Sequence, residues 1–409
     1  MQTRRIGAAL FGAALWLLVV AAAWAVNLDV DEQRTTPVPH RYVHGILGDA
    51  KFEVSFPVAW NGKLLIGTRG FSGTEFSSGA FKTVGLQKGY AYALSDEGWN
   101  RVQIVDNPED FYFESRRRIV QMTGAVKQLV QRHYGRPASR TYATGGSNGG
   151  HHSKWIVEDY PALFDGAVSG YGFNSNLEQW GDVAQTVRNY DIVRPRIADI
   201  VAKRAASPNW NPATEPLSPP LTGAQITALQ NIYNIPARIG TVVWNNGRPA
   251  GSEFMWESNR ATLLGYLRDS MPRFDRTYDP NGDGVLTEDE LKNWNPDHSP
   301  VQIQNDLRKL DLHGNLKRPI IIAHGSFDVT VAPGESVGYM RLVESRLGVV
   351  KARDVLAVYF IPGMGHGGAP FNAWLNVAFD ALDAWVDWHQ SGGTAGAQPP
   401  FNLGGYTRE

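Results

Sequence analysis

A chain of 409 residues, 43% hydrophobic and 19% charged, has the composition of an ordinary globular protein and is long enough for one large core or two modest ones. Its formal net charge of -1 leaves no basic footprint for a nucleic acid. It contains no cysteine, which excludes disulfide staples, thiolate metal ligands and a cysteine nucleophile.

The N-terminus, MQTRRIGAALFGAALWLLVVAAAWAVN, places two arginines before an uncharged run from Ile6 to Trp24. Ala23-Trp24-Ala25 then fits a small-x-small cleavage site. Residues 1–25 therefore read as an export signal, cleaved or kept as a membrane anchor, and place the rest of the chain outside the cytoplasm as a secreted or periplasmic protein. No later segment has the length of a membrane span.

From about Lys51 to Val168, short apolar runs (FEVSF, KLLIG, YAYALS, SRTYATGG) alternate with helical patterns around Ile119 to His133 and through Trp155. The alternation returns in RPIIIAHG, DVLAVYFIP and an amphipathic helix from Phe371 to His389. Such a pattern predicts an α/β protein, a parallel or mixed sheet flanked by helices. The predicted core is residues 40–172 and 316–395. Between them, residues 173–315 lose the alternation; Pro, Asn and Trp dominate, as in SPNWNPATEPLSPP, and the segment reads as an insertion.

At the end of one predicted strand, Gly145-Gly146-Ser147-Asn148-Gly149 fits the G-x-S-x-G elbow, where a strand turns sharply into a helix and exposes the serine. A serine hydroxyl is a weak nucleophile and needs a histidine base held in the right tautomer by a carboxylate. Elbow hydrolases carry these in the chain order Ser, Asp or Glu, His. His366, in VYFIPGMGHGG, sits in a glycine-rich loop directly after a strand-like run and is the predicted base. Asp328, in the loop after RPIIIAHG, is the predicted orienter; His324, at the end of that strand, reads as a structural hydrogen-bonding group. The backbone N–H of Asn148 is one expected oxyanion donor, with Gly70 or Phe71 of KLLIGTRGFSG as the other.

Within the insertion, DPNGDGVLTEDEL places Asp279, Asn281, Asp283, the Val285 carbonyl, Thr287 and Glu290 at positions 1, 3, 5, 7, 9 and 12 of an EF-hand loop, with Gly284 at the turn position. This spacing predicts one structural calcium ion. Trp180, Trp210, Trp244, Trp256 and Trp294 also fall in the insertion, as core side chains or as walls of an aromatic pocket.

Taken together, GYAYALSDEGW, HYGRPASRTYATGGSNGG, EDYPALFDGAVSG, HGSFDVTVAP and YFIPGMGHGG resemble the tannase and feruloyl esterase family of α/β-hydrolases. The resemblance covers roughly residues 55 to 172 and 316 to 390. It implies an α/β-hydrolase fold with a lid over the triad that holds calcium, and Ser147, Asp328 and His366 as nucleophile, acid and base. The family pattern also carries a cysteine before the serine and another after the histidine, joined in a disulfide. Gly146 and Gly367 stand at those positions here. The expected function is an exported serine hydrolase acting on carboxylic esters, small or polymeric. A peptidase or amide hydrolase of the same fold, or a calcium-stabilised binding protein without catalysis, are the alternative readings.

Overall fold

Parallel strands that bury both faces are predominantly apolar, as LLIG and IIIA are here, while RTYAT keeps an apolar centre at Tyr142 and Ala143. The computed structural model describes residues 26–71, 73–77, 79–98, 108–275, 277–393 and 407–408, so the predicted export segment lies outside the described residues. No helix among the described residues is long and apolar enough to cross a membrane.

The chain opens with three strands, β1 (Val26–Arg34), β2 (His40–Leu47) and β3 (Ala50–Pro57), followed by β4 (Lys63–Thr68), α1 (Gly79–Gln87), β5 (Ala91–Ser95), α2 (Pro108–Tyr134), β6 (Arg140–Gly146), α3 (Asn148–Asp159) and β7 (Gly166–Gly170). The middle region contains α4 (Asn176–Val193), α5 (Ile197–Ala206), α6 (Gly223–Tyr233), the hairpin β8 (Pro236–Ile239) and β9 (Val242–Asn245), α7 (Trp256–Phe274), α8 (Glu288–Asn293) and α9 (Val301–Arg308). The sheet resumes with β10 (Ile320–Gly325), α10 (Gly334–Leu347), α11 (Val349–Val355), β11 (Leu356–Ile361), α12 (Ala369–Gln390) and β12 (Thr407–Arg408).

Ten of these strands form one sheet in the order β1-β2-β3-β5-β4-β6-β7-β10-β11-β12. The run from β5 to β11 is parallel; β1, β2, β3 and β12 pair antiparallel at its two edges. The sheet therefore begins at Val26, ahead of the predicted core start at residue 40. One face is covered by Ile119, Met122, Val126 and Val130 of α2 with Tyr339, Leu342 and Val343 of α10. The other is covered by α12, whose Trp374, Leu375, Ala378, Phe379, Leu382, Trp385 and Val386 form one apolar stripe at helical spacing. Each large apolar side chain fully buried this way contributes roughly 1.5–3 kcal/mol.

The insertion is largely helical, which its Pro- and Asn-rich sequence did not announce. It contributes to two apolar clusters shared with the core: Trp180 and Trp294 pack with Phe71 in one, Trp210 and Trp256 with Val329 in the other. Trp244 is buried as well. All five tryptophans are thus core side chains, and none borders the pocket described next.

Candidate active site

Strand β6 runs straight into α3 through Ser147, whose backbone takes φ 60, ψ -124. A positive φ in a residue other than glycine is strained and persists only where its surroundings hold it. Two contacts do so here: Ser147 N–H donates to Gly170 O of β7 at 3.1 Å, and His151 N–H closes the first turn of α3 on Ser147 O at 3.0 Å. The helix passes so close to β4 that a Cβ on Gly149 would overlap the Thr68 carbonyl, while the Thr68 hydroxyl donates to Gly149 O at 2.6 Å. This close approach is why the elbow carries glycine after the serine.

His366 and Asp328 come from the loops after β11 and β10, both at the carboxyl edge of the parallel strands, as does Ser147. His366 Nδ1 lies 2.7 Å from Asp328 Oδ2. An ionised carboxylate only accepts, so Nδ1 carries the hydrogen and Nε2 is left to face the pocket with its lone pair. Asp328 is fully buried, and its other oxygen accepts from the N–H groups of Thr330 at 2.9 Å and Val331 at 3.0 Å. Burial pushes its pKa up, but the His366 and His324 rings outweigh that and hold the carboxyl well below the usual range. His324 donates from Nε2 to Val331 O at 2.8 Å and accepts at Nδ1 from the Ser336 hydroxyl at 2.7 Å, the hydrogen-bonding role expected of it.

Ser147 and His366 border one cavity of about 400 Å³. Among the described residues Ser147 Oγ makes no hydrogen bond to another side chain. Phe71, Phe81, Tyr171 and Phe371 of the core form the walls, and Tyr266 on α7 reaches in from the insertion. Phe71 and Tyr266 meet edge to face at 5.2 Å. The sequence reading did not single out Tyr171, Tyr266 or Phe371 as pocket residues.

Of the expected oxyanion donors, Gly70 and Phe71 border the cavity together with Ser147, and Asn148 follows Ser147 at the buried start of α3. Asn148 is the buried first residue of α3, so its N–H has no carbonyl of its own helix to bond. Gly70 and Phe71 border the cavity. Beneath them Arg69, buried, donates from Nη1 to the carbonyls of Gly70 at 3.0 Å and Phe71 at 2.6 Å, and from Nε to Asp96 O at 3.0 Å. With the Gly70 carbonyl tied to the guanidinium, the planar trans peptide turns the Phe71 N–H to the opposite side. Arg69 is in turn flanked by Glu97, 3.5 Å away, and Glu97 Oε2 lies 3.1 Å from His152 Nδ1 on α3. This buried support has no single-sequence signature beyond three polar residues in apolar surroundings.

The acidic loop of the insertion forms compact turns. Asp279 accepts from Gly282 N–H at 2.9 Å and Gly284 N–H at 3.0 Å, and Asp283 from Val285 N–H at 2.9 Å. Glu290 Oε1 accepts from Asn281 Nδ2 at 2.5 Å, which closes loop position 3 on position 12. Its Oε2 accepts from Thr287 N–H and Oγ1, both at 2.7 Å, in a capping box that starts α8. Among the described residues no three His, Cys, Asp or Glu side chains are grouped so that they could hold a metal. The donor set itself, three carboxylates, one amide, one hydroxyl and one carbonyl, is all oxygen and suits calcium.

A mostly parallel sheet with helices on both faces, a strand-serine-helix elbow and the remaining polar residues at the carboxyl edge define an α/β-hydrolase. Residues 41–188 match the tannase and feruloyl esterase family. An uncharacterized esterase of Agrobacterium fabrum is 22% identical over 83% of this chain and 74% of its own length. Mono(2-hydroxyethyl) terephthalate hydrolase of Piscinibacter sakaiensis is 30% identical over a shorter stretch, 31% of this chain and 24% of that protein. The crystal structure of feruloyl esterase B from Aspergillus oryzae shares the fold with a TM-score of 0.63, at 17% identity and with 94% of this chain and 92% of that one covered. The chain's likeness to the tannase and feruloyl esterase family thus rests on residues 41–188, and the chain differs from that family's pattern in having no cysteine.

Proposed function

We propose that this protein is an exported serine esterase that cleaves carboxylic esters through an acyl-enzyme. The observation that carries the reading is a serine in a strained elbow sharing a pocket with a histidine that is hydrogen-bonded at 2.7 Å to a buried carboxylate. Ser147 Oγ attacks the ester carbonyl carbon as His366 Nε2 takes its proton, and Asp328 stabilises the resulting imidazolium. The N–H groups of Asn148 and Phe71 receive the oxyanion, each such donor contributing roughly a hundred- to thousand-fold in rate. His366 then protonates the departing alcohol, and water releases the acid by the reverse sequence.

Aromatic walls built from Phe71, Phe81, Tyr266 and Phe371 suit an aromatic acyl group, which stacks on such rings with modest extra energy. That preference agrees with the feruloyl and terephthalate esters in the names of two relatives. The N-terminal segment would direct export. Calcium would be held by Asp279, Asn281, Asp283, Val285 O, Thr287 and Glu290, bracing the insertion away from the reacting atoms.

Labelling with a fluorophosphonate probe, compared between the wild type and Ser147→Ala, tests the reading. Labelling that depends on Ser147 is expected, together with hydrolysis of p-nitrophenyl esters but not of matched anilides. Labelling that survives the substitution removes the nucleophile. Absence of any labelling favours a binding protein, and comparable anilide turnover favours an amide hydrolase.

A further inference from the structure

Among the described residues only three other than glycine take positive φ: Glu97, Ser147 and Tyr171. Glu97 flanks Arg69 beneath the predicted oxyanion loop, and Ser147 is the elbow, so two of the three already serve the site. Tyr171, with φ 32, follows directly on β7, and its N–H is fixed to Ala323 O of β10 at 2.8 Å. A left-handed backbone is strained for an L-residue and persists only where its surroundings hold it.

It places the phenol ring between the two loops of the site. The ring stands edge to face against His366, with centroids 4.7 Å apart at 64°, and against Phe371 at 5.1 Å. On one side, a Cβ added to Gly146, the residue before Ser147, would meet Tyr171 Oη at 2.6 Å and Cζ at 2.7 Å. On the other, a Cβ added to Gly367, the residue after His366, would meet the same oxygen at 2.9 Å. A single phenol thus fills the gap between the neighbours of the proposed nucleophile and base. Burial raises its pKa to about 12, ahead of a smaller effect from the Asp328 charge, so the filler is neutral in ordinary buffers.

The histidine loop needs such a filler. Its first part is tied down by Phe327 N–H to Met364 O and Gly363 N–H to Ser326 Oγ, both at 2.9 Å. After His366 come Gly367 at φ 83 and Gly368 at φ 111, backbone that no side chain stiffens. We propose that Tyr171 is a positioning residue whose phenol, wedged between Gly146 and Gly367, sets the separation of the Ser147 elbow from the His366 loop. This rests on Ser147 and His366 being nucleophile and base.

A size-exchange cycle on the full chain with p-nitrophenyl acetate tests it. Because a misplacement near 1 Å costs up to about a hundred-fold, Tyr171→Ala should lower kcat by about 10- to 100-fold with KM changed less than about three-fold. Tyr171→Phe keeps the ring and should recover most of that loss. Gly146→Ala drives a methyl into the phenol and should lower kcat by about ten-fold or more. In the double variant Gly146→Ala/Tyr171→Ala that collision is absent, so the losses should be strongly non-additive. A Tyr171→Ala enzyme within two-fold of wild-type kcat, or additive losses in the cycle, would overturn the wedge. If Tyr171→Ala fails to fold, full kcat in Gly146→Ala overturns it equally. Fluorophosphonate labelling that persists in Ser147→Ala would instead overturn the triad on which the wedge depends.

Discussion

The sheet and the insertion are both well buried but are assembled from different materials. Across the strands from β4 to β11 the interior is largely apolar, and Ser147, Asp328 and His366 sit together at the carboxyl edge. The insertion is seated on the core both by apolar contacts, through Phe71 and Val329, and by a buried polar network. Arg248 donates to Asp182 of α4 at 2.7 and 2.9 Å, and Asn246 bridges Asp182 at 2.9 Å and Glu335 of α10 at 2.8 Å. Glu335 also accepts from Asn174 N–H at 2.9 Å, and Lys154 of α3 donates to Asn174 Oδ1 at 2.9 Å. All of these side chains are buried. Buried charges are costly unless partnered, so they specify one seating of the insertion more than they add stability. The polar groups at the sheet edge gather around the proposed triad, whereas the buried polar network between insertion and core fixes how the two dock.

If that division holds, substitutions at the sheet edge cost rate and substitutions at the docking network cost stability. The largest effect is expected for Asp328→Asn, which leaves the His366 imidazole in the wrong tautomer; kcat for p-nitrophenyl esters should fall about 10⁴-fold. Arg248→Met strands the Asp182 carboxylate without its partner and should cost about 3–5 kcal/mol in urea denaturation. Its kcat, measured below the new melting point, should change far less than that of Asp328→Asn; a comparable loss would erase the distinction. Calcium removal by EGTA should lower the melting temperature by the equivalent of about 3 kcal/mol if the ion is normally present at a hundred times its Kd. An unchanged melt would dismiss the ion.

The smallest effect is a pH dependence. Burial, with help from Asp297, raises Glu178 on α4 to about 7, whereas the same group in the unfolded chain titrates near 4.5. The folded state holds the extra proton between those values, so this group makes stability fall as pH rises from about 4.5 to about 7. Glu178→Gln should therefore stabilise by up to about 3 kcal/mol at pH 8 and not at all at pH 4. Equal effects at both pH values would mean that Glu178 is solvated.

The same contrast explains what could be read in the chain beforehand. KLLIG, RTYATGG, IIIAHG and LAVYFI were legible because a buried parallel strand is a continuous apolar run, and each is followed by a loop rich in glycine or polar groups. That placed Ser147, Asp328 and His366 at strand ends in the correct order. Helix α4 was not legible: Gln179, Asp182, Thr186 and Asn189 are buried along with its apolar residues, which blurs the helical period. Strand β1 was missed because it is an edge strand with mostly exposed polar residues. Tyr171 had only an indirect signal, glycine at both 146 and 367, and no propensity rule predicts a tyrosine at positive φ.

Tyr266 is the insertion's only described side chain in the pocket wall, and it stands on a helix. Each residue of an α-helix advances about 100° around its axis. Adding or deleting a single residue in α7 ahead of Tyr266 would swing its ring out of the pocket and bring a neighbour round. Gly265 on one side would open the wall, and Leu267 on the other would replace an aromatic face with an aliphatic one. The shape of the pocket wall thus depends on helix register in the insertion as well as on the sheet.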